Sequence, residues 1–148
     1  MEIKIYTDGA CVGNPGPGGW AAIILDENGR KELFGGEKLT TNNRMELTAA
    51  IKALEYCFTK EEKQPSLKLI RIYTDSTYVK EGITVWIYSW EKNNWKTADK
   101  KNVKNVDLWK KLKELTNSNQ VEWNWIKGHS ENPMNDQADR LAKKATPI

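Results

Sequence analysis

The same four residues end two separate apolar segments of this chain, Ile5-Tyr6-Thr7-Asp8 and Ile72-Tyr73-Thr74-Asp75. Isoleucine, tyrosine and threonine favour β-strands, and a small residue, Gly9 or Ser76, follows each aspartate. Parallel, adjacent strands lie about 4.8 Å apart, so both aspartates would emerge at the carboxyl edge of the sheet, where open α/β sheets bind ligands. The repeat therefore predicts paired carboxylates that need a proton or a cation between them. The alternative is that each aspartate merely begins a turn.

Length and composition limit the class of protein. The chain has 148 residues, a length that predicts one domain spanning residues 1–148. No segment is apolar and long enough to cross a membrane, so we expect no membrane partner. Residues 1–4 open directly into a strand and lack the layout of a signal peptide. Two distant cysteines, Cys11 and Cys57, indicate reduced thiols rather than a metal cluster, which favours a cytoplasmic location.

The net charge of +3 is small, but positive charge is concentrated in one segment. Residues 91–113 contain eight lysines and three acidic residues, which gives this window a net charge of +5. Such a segment indicates a localised contact with a polyanion. Its lysines either attract phosphates or stay solvated, and the tryptophans within and just before it are either core residues or stacking platforms for bases. The candidates are Trp86, Trp90, Trp95, Lys96, Lys100 and Lys101.

Hydrophobic periodicity predicts five strands with helices between them. The strands are expected at residues 3–11, 20–25, 31–38, 67–74 and 121–126. The helices are expected at residues 43–58 with Asn43 as the cap, at 76–82 with Ser76 as the cap, at 107–115, and from Pro133 with Asn132 as the cap. For residues 83–90, periodicity permits either a helix or a strand.

The order of these elements predicts an α/β fold with a mixed five-stranded sheet. The connection VGNPGPGG at residues 12–19 lacks the lysine of a phosphate-binding loop and is expected to be a hairpin connection. A second turn, at Asn28-Gly29, continues an antiparallel meander of the first three strands. Right-handed helical crossovers then make the fourth and fifth strands parallel to the first. Helices are expected on both faces of the sheet.

Two further carboxylates are expected near the edge that carries Asp8 and Asp75. Glu46 lies in the first turn of a predicted helix, and Asp139 borders the apolar stripe of the last helix. Four carboxylates without a soft ligand suit a hard cation, Mg²⁺ or Mn²⁺, and two such ions promote displacement at phosphorus. Structural alternatives remain open, because Glu46 also fits a capping box and Asp139 also fits an ion pair with Lys143.

One histidine is present, His129, in a Gly-His-Ser loop ahead of the last helix. The ordinary pKa of a histidine, about 6.5, suits proton transfer near neutral pH. The alternative is an exposed loop histidine. Its proximity in sequence to Asp139 makes it a candidate for acid–base chemistry.

Five stretches, taken together and in order, resemble bacterial-type ribonuclease H of the type 1 family. They are TDGACVGNPGPGGW at residues 7–20, TTNNRMEL at 40–47, YTDSTYV at 73–79, NNWKTADKKNVKNVDLW at 93–109 and IKGHSENPMNDQADRLA at 126–142. The resemblance covers nearly the whole chain and implies an RNase H-like fold. It also implies an endoribonuclease that hydrolyses the RNA strand of RNA/DNA hybrids by a two-metal-ion mechanism, leaving 5′-phosphate and 3′-hydroxyl ends. The implied cofactor is Mg²⁺, with Mn²⁺ as a substitute and two ions in the substrate complex.

The resemblance further implies roles for individual residues. It assigns metal binding and catalysis to four carboxylates, Asp8, Glu46, Asp75 and Asp139. It assigns proton shuttling or product release to His129. It assigns contacts with the nucleic-acid backbone and its 2′-hydroxyls to Asn14, Thr41, Asn42 and Asn43. The basic segment matches the family's protrusion, at about residues 83–106, and Thr77 departs from the pattern because some bacterial members have glutamine there.

Two other functions remain open at this stage. One is a binding module that has kept the fold and lost the chemistry, although a binder has no need of four carboxylates and a histidine. The other is a related nuclease, such as an integrase or a junction resolvase, which the TTNNRMEL and NPGPGG stretches disfavour. The leading interpretation is a monomeric, cytoplasmic, metal-dependent endonuclease that binds RNA/DNA hybrids. It rests on the site residues, because one fold can carry many functions.

Overall fold

The computed structural model describes residues 2–59, 69–117, 120–127 and 132–147. The strands are β1 (Glu2–Cys11), β2 (Gly16–Asp26), β3 (Gly29–Thr40), β4 (Leu69–Thr74) and β5 (Gln120–Trp125). The helices are α1 (Asn42–Thr59), α2 (Thr77–Glu81), a π-helical turn (Gly82–Trp86), α3 (Ile87–Lys92), α4 (Val106–Asn117) and α5 (Pro133–Ala145). No helix within these ranges is both long and apolar enough to cross a membrane.

The sheet has the predicted mixed topology. Its strand order is β3-β2-β1-β4-β5, with antiparallel pairing from β3 to β1 and parallel pairing of β4 with both β1 and β5. Thr7 and Thr74 are register partners at the end of the β1–β4 pairing. Asp8 and Asp75 therefore follow at neighbouring positions of one sheet edge, as the repeated sequence predicts.

Helices cover both faces of the sheet, which confirms the predicted layers. Ile5 and Ile72 are register partners, and both are fully buried in the larger core beneath α1 to α4. The next residues, Tyr6 and Tyr73, point to the opposite face because strand side chains alternate. Their rings stack with centroids 4.7 Å apart and belong to the smaller core with Ala138 of α5.

The loop between β1 and β2 is shorter than predicted. Gly18 and Gly19 pair with Cys11 and Ala10 in the sheet, whereas turn chemistry assigned them to a connection. A Cβ at Gly19 would collide with the carbonyl oxygen of Ala142 in α5. Position 19 therefore requires glycine, because α5 packs too closely on this part of β2 for a side chain.

Residues 83–90, for which the sequence permits a helix or a strand, are helical. Ile83 and Ile87 are four residues apart and buried, whereas Val85 is exposed, so one helical face enters the core. A Cβ at Gly82 would collide with the indole ring of Trp109 in α4. Tertiary packing against α4 therefore decides between two structures that the local pattern leaves equal.

Candidate active site

Three carboxylates meet at the edge of the sheet. Asp8 lies just beyond the β1–β4 pairing, Asp75 directly follows β4, and Glu46 lies in α1. One carboxylate oxygen from each residue lies within 4.8 Å of the other two. Asp8 and Glu46 are each 4% exposed, so two of these negative groups are almost removed from water. The convergence predicted from the repeated segment is confirmed.

Burial and mutual repulsion raise the pKa values of two of these groups. Burial is the largest cause for Asp8, followed by the charge of Asp75 and by contact with the carboxyl group of Asp139, and together they raise the pKa of Asp8 to about 8. Burial also raises the pKa of Glu46 well above its usual range, and the charges of Asp8 and Asp75 add to the effect. A cation between the oxygens would relieve this repulsion.

Glu46 does not cap α1, so the capping-box alternative is wrong. The helix begins at Asn42, one residue before the predicted cap Asn43, and Thr41 Oγ1 accepts a hydrogen bond from the Arg44 N–H at 3.2 Å. Glu46 therefore lies beyond the capped turn and joins the carboxylates. Its Oε1 is buried and has no hydrogen-bond partner among the described residues.

The residues present fit a divalent metal ion. The three converging ligands are all carboxylate oxygens, which hard cations such as Mg²⁺ and Mn²⁺ prefer. An unpaired buried carboxylate oxygen, such as Glu46 Oε1, is costly unless it gains a partner. A cation at the cluster would supply that partner and offset the repulsion between the aspartates.

Asp139 approaches the cluster from α5. It also forms the ion pair with Lys143 that the sequence offered as the alternative to a role at the cluster. Its Oδ2 lies 3.1 Å from Lys143 Nζ. Its carboxyl group also contacts that of Asp8, where it contributes to the raised pKa of Asp8. Both arrangements are present at once, and Lys143 partly offsets the negative charge at this side of the cluster.

A cleft of about 350 Å³ opens over the carboxylates. Apart from Gly9 of β1, the rest of its lining comes from the ends of α1, α2 and α5 and includes Asn42, Asn43, Ser76, Thr77, Tyr78, Asn135 and Asp136. Ser76 caps α2 as predicted, because its Oγ accepts a hydrogen bond from the Val79 N–H at 3.1 Å. The cleft is polar and wide enough to admit a phosphate group.

Sequence reasoning missed several of these cleft residues. Asn135 lies four residues before Asp139, and residues at this spacing share one helix face, so the spacing was a usable signal. Tyr78 is held by Trp109, whose Nε1–H donates to the tyrosine hydroxyl at 3.1 Å. That contact joins residues far apart in sequence, and no local pattern marks it.

The residues predicted to contact the nucleic-acid backbone lie together at one end of the cleft. The cap and first turn of α1 consist of Thr41, Asn42 and Asn43. Asn14 Oδ1 accepts a hydrogen bond from the Asn42 N–H at 2.7 Å, which joins the β1–β2 loop to the helix. Arg44 makes two hydrogen bonds to the Asp107 carboxylate, at 3.0 and 3.2 Å. This pair ties the same end of α1 to the start of α4.

The basic protrusion packs two of its tryptophans inward. Trp90 and Trp95 are half-buried against the larger core, and the Trp90 ring lies 5.3 Å from that of Trp109. Trp86 is 39% exposed and keeps an open face. The core interpretation is therefore confirmed for the packing of Trp90 and Trp95, while Trp86 remains accessible.

The three predicted contact lysines of the protrusion lie in the segment before α4. Lys96 and Asn102 form an isolated antiparallel bridge, and the Lys96 ammonium group donates to the Asn102 side-chain oxygen. Lys100 and Lys101 lie between these two residues and are exposed. Their exposure is compatible with phosphate contact and with a solvated surface, so their role stays a prediction.

His129 lies outside the described residues, together with residues 128, 130 and 131. The helix that follows begins as predicted, with Pro133 in its first turn. Asn132 Oδ1 accepts hydrogen bonds from the N–H groups of Met134 and Asn135 at 2.9 and 3.3 Å. The role assigned to His129 stays a prediction.

Comparison with known proteins agrees with the geometry. The sequence model of the family described as RNase H matches residues 1–146. The ribonuclease H of Methylobacillus flagellatus is 58% identical over 142 residues, which cover 96% of this chain and 89% of that protein. The ribonuclease H of Parvibaculum lavamentivorans is 54% identical, covering 96% of this chain and 90% of that protein.

Solved structures give the same result. LC9-RNase H1, a type 1 RNase H with the type 2 active-site motif, superposes with a TM-score of 0.83 at 30% identity, covering 98% of this chain and 72% of that one. LC11-RNase H1 in complex with an RNA/DNA hybrid superposes with a TM-score of 0.73 at 25% identity, covering 97% and 96%. The chain therefore belongs to the RNase H family, in its bacterial type 1 branch of metal-dependent enzymes that hydrolyse the RNA strand of RNA/DNA hybrids.

Proposed function

We propose that the carboxylate cluster is the site at which this chain hydrolyses the RNA strand of RNA/DNA hybrids, leaving 5′-phosphate and 3′-hydroxyl ends. The observation that carries the proposal is the meeting of Asp8, Glu46 and Asp75, whose oxygens lie within 4.8 Å of one another. Crowded, buried carboxylates destabilise a fold, so their presence indicates a function that needs them. Divalent cations are the partners that such a cluster fits.

The proposed cofactor is Mg²⁺, with Mn²⁺ as a substitute and two ions in the substrate complex. The residues that would hold these ions are Asp8, Glu46, Asp75 and Asp139. When bound, divalent cations stabilise negative charge on a phosphate and lower the pKa of the attacking water. Asp8 and Glu46 must release their protons to serve as ligands, so metal affinity should rise with pH.

His129, four residues before the start of α5 in sequence, is proposed to complete the chemistry. A histidine holds or releases a proton near neutral pH, which suits either proton shuttling or assistance to the departing product. In both roles the imidazole acts on the reaction after the substrate has bound. A change at His129 should therefore alter kcat more than KM.

Residues at the N-terminal end of α1 are proposed to select the RNA strand. A 2′-hydroxyl both donates and accepts hydrogen bonds, and the side-chain amides of Asn14, Asn42 and Asn43 offer both groups. Thr41 is proposed to contact the backbone beside them. The hydrogen bond from the Asn42 backbone N–H to Asn14 Oδ1 supports this assignment, because it holds the Asn14 side chain beside the first turn of α1.

The protrusion at about residues 83–106 is proposed as the second contact with the duplex. Positive side chains attract phosphates without regard to sequence, and aromatic rings offer flat apolar surfaces beside them. The proposed contact residues are Trp86, Trp90, Trp95, Lys96, Lys100 and Lys101. The exposed face of Trp86 and the exposed Lys100 and Lys101 support this proposal.

We further propose that residues 1–148 form a single catalytic domain that acts as a cytoplasmic monomer. All described strands belong to one five-stranded sheet, which supports the single domain. The chain has two cysteines, Cys11 and Cys57, far apart in sequence, which is typical of proteins in a reducing compartment.

One cleavage assay tests the function. Labelled RNA/DNA hybrid, duplex RNA, duplex DNA and a DNA junction are incubated with the protein in Mg²⁺ and in excess chelator, with Asp75→Asn as the inactive control. The expected result is cleavage of the RNA strand of the hybrid alone, in Mg²⁺ alone. Cleavage of the junction would favour a resolvase. Binding of the hybrid without cleavage would favour a binding module, and equal cleavage of duplex RNA would contradict the proposed selection of hybrids.

A further inference from the structure

A tryptophan side chain holds the backbone of one of the carboxylates. The indole Nε1–H of Trp125, the last residue of β5, donates a hydrogen bond of 3.1 Å to the backbone carbonyl oxygen of Asp75. Trp125 is the register partner of Thr74, the last residue of β4. The Asp75 carbonyl thus lies one residue beyond the strand ladder, where a side chain replaces the backbone donor that a longer strand would have supplied.

The segments on both sides of Asp75 are fixed by other hydrogen bonds. Before it, the Ile126 N–H donates to the Thr74 carbonyl oxygen at 2.9 Å. After it, the Ser76 N–H donates to Thr74 Oγ1 at 3.0 Å, and Ser76 caps α2. The Ser76 N–H belongs to the peptide group between Asp75 and Ser76, so Thr74 Oγ1 holds one side of that group and the Trp125 indole holds the other. The indole N–H bonds to the oxygen of that group, so it restricts the turn from which the Asp75 carboxylate projects.

The exposure of Trp125 argues that burial is not its main contribution. Its residue surface is 46% exposed, whereas Trp109 in the core is fully buried. A half-exposed indole gains less from the hydrophobic effect than a buried one. Its N–H group, in contrast, has a defined partner at the edge of the cleft. Groups that orient a metal ligand in this way tune the metal affinity of the site.

We infer that Trp125 is a positioning residue for Asp75, holding its backbone so that its carboxylate meets those of Asp8 and Glu46. The inference rests on the proposed function, because it takes Asp75 as a metal ligand. Trp125 acts through the backbone of Asp75 and is not itself proposed to touch metal or substrate. Its removal should therefore weaken metal binding and slow catalysis without changing recognition of the hybrid.

The test replaces the donor and keeps an aromatic ring, as Trp125→Phe. The matched control is Trp123→Phe, two residues earlier in β5, where the ring packs against the larger core and not the carboxylates. Mg²⁺ affinity is measured from the rise in melting temperature with Mg²⁺ concentration. Trp125→Phe is expected to weaken that affinity by about 10-fold, the lower end for groups that orient a ligand. At limiting Mg²⁺, kcat should fall while KM for the hybrid stays unchanged, and Trp123→Phe should alter only the melting temperature.

A nuclear magnetic resonance titration gives a second readout that needs no substrate. The Trp125 indole N–H resonance is identified as the one lost in Trp125→Phe. It is expected to shift with added Mg²⁺ along the same binding curve that the melting temperature reports, while the Trp123 indole resonance does not. A Trp125 resonance that is unaffected by Mg²⁺ would contradict the inference.

A double-mutant cycle separates this inference from the proposed function. In an Asp75→Asn background, adding Trp125→Phe should not weaken Mg²⁺ binding further, because the ligand that Trp125 positions is already lost. Additive losses, or wild-type Mg²⁺ affinity in Trp125→Phe, would overturn the positioning role. A wild-type protein that gains no stability from Mg²⁺ would instead contradict the proposed function, and the inference would fall with it.

Discussion

Gly9 of β1 lies directly against the backbone of Glu46 in α1. A Cβ at position 9 would come within 2.5 Å of the Glu46 amide nitrogen and 2.7 Å of the Met45 carbonyl carbon. These are backbone atoms of a helix, so they cannot rotate away as a side chain would. Glycine next to Asp8 therefore allows the helical turn that carries Glu46 to approach the strand, and this approach brings two buried carboxylates together.

Gly9→Ala should therefore disturb both the fold and the site. Overpacking of this kind costs about 1–3 kcal/mol of unfolding free energy, and a displacement of about 1 Å at a reacting centre lowers activity by up to about 100-fold. Urea denaturation and kcat with a hybrid substrate measure the two effects. Gly29→Ala is the control, since its φ of 121° strains an alanine in open space and should reduce stability with kcat unchanged. Wild-type kcat in Gly9→Ala would contradict the argument.

The stability of the metal-free protein should fall as pH rises. The pKa of Asp8 is raised from 3.8 to about 8, and that of Glu46 is raised as well. Between those pH values the folded state holds protons that the unfolded state has released, so the free energy of unfolding decreases with increasing pH. Asp8→Asn removes one of these titrations. Over the same pH range, the unfolding free energy of Asp8→Asn should therefore fall less than that of the wild type. The difference should exceed about 1.4 kcal/mol, the equivalent of one pKa unit.

Urea denaturation in chelator at about pH 5.5 and pH 8.5 measures this difference. Mg²⁺ should reduce the fall in unfolding free energy with rising pH, because bound cations replace the protons. Parallel pH profiles for wild type and Asp8→Asn would show that Asp8 ionises normally in the fold, against the raised pKa.

His129→Ala should lower kcat by about 10²–10⁴-fold with little change in KM, if the imidazole is a full general acid–base. Its pH–rate profile should lose the limb contributed by the histidine. Steady-state and single-turnover kinetics together separate a proton shuttle, which slows the chemical step, from a product-release role, which slows turnover alone. A loss confined to KM would make His129 a binding residue.

Replacing Lys96, Lys100 and Lys101 by alanine should make hybrid binding less sensitive to salt. Each phosphate contact contributes about 0.9 to the slope of log affinity against log salt in duplex DNA, so the slope should become shallower by up to about three units. Alanine at Lys4, Lys31 and Lys52, on β1, β3 and α1, is the charge-matched control. Equal slopes for the two triple variants would mean that the protrusion lysines are only solvated.

The sequence predicts Asp8 and Asp75 well because their geometry depends on strand pairing, which repeated β-favouring residues encode locally. Glu46 is harder, because its role depends on where α1 begins. The helix begins at Asn42 and Thr41 replaces the predicted cap Asn43, so Glu46 lies two residues beyond the capping-box position. Both amides fit a helix N-terminus, and the decision falls to Thr41, whose hydroxyl bonds the Arg44 N–H.

Other features depend on contacts between distant residues and leave no local pattern. Residues 83–90 pack as a helix beside α4, where Gly82 lies against Trp109, and Gly19 of β2 lies beneath α5. The indole of Trp125 in β5 reaches the Asp75 carbonyl at the end of the neighbouring strand β4. In each case the local residue types do not predict the observed arrangement, which depends on a packing partner far away in sequence.

The most direct test of the carboxylate cluster is thermal melting of the wild type and Asp8→Asn, each with and without Mg²⁺. Without metal, the nearly isosteric Asp8→Asn should melt at a higher temperature than the wild type, because it removes a buried carboxyl group that must either take up a proton or repel its neighbours. Mg²⁺ should stabilise the wild type by RT ln(1 + [Mg²⁺]/Kd) and the variant by less, because the variant has lost a ligand. A metal-free Asp8→Asn that is less stable than the wild type and gains as much from Mg²⁺ would contradict the convergent metal site.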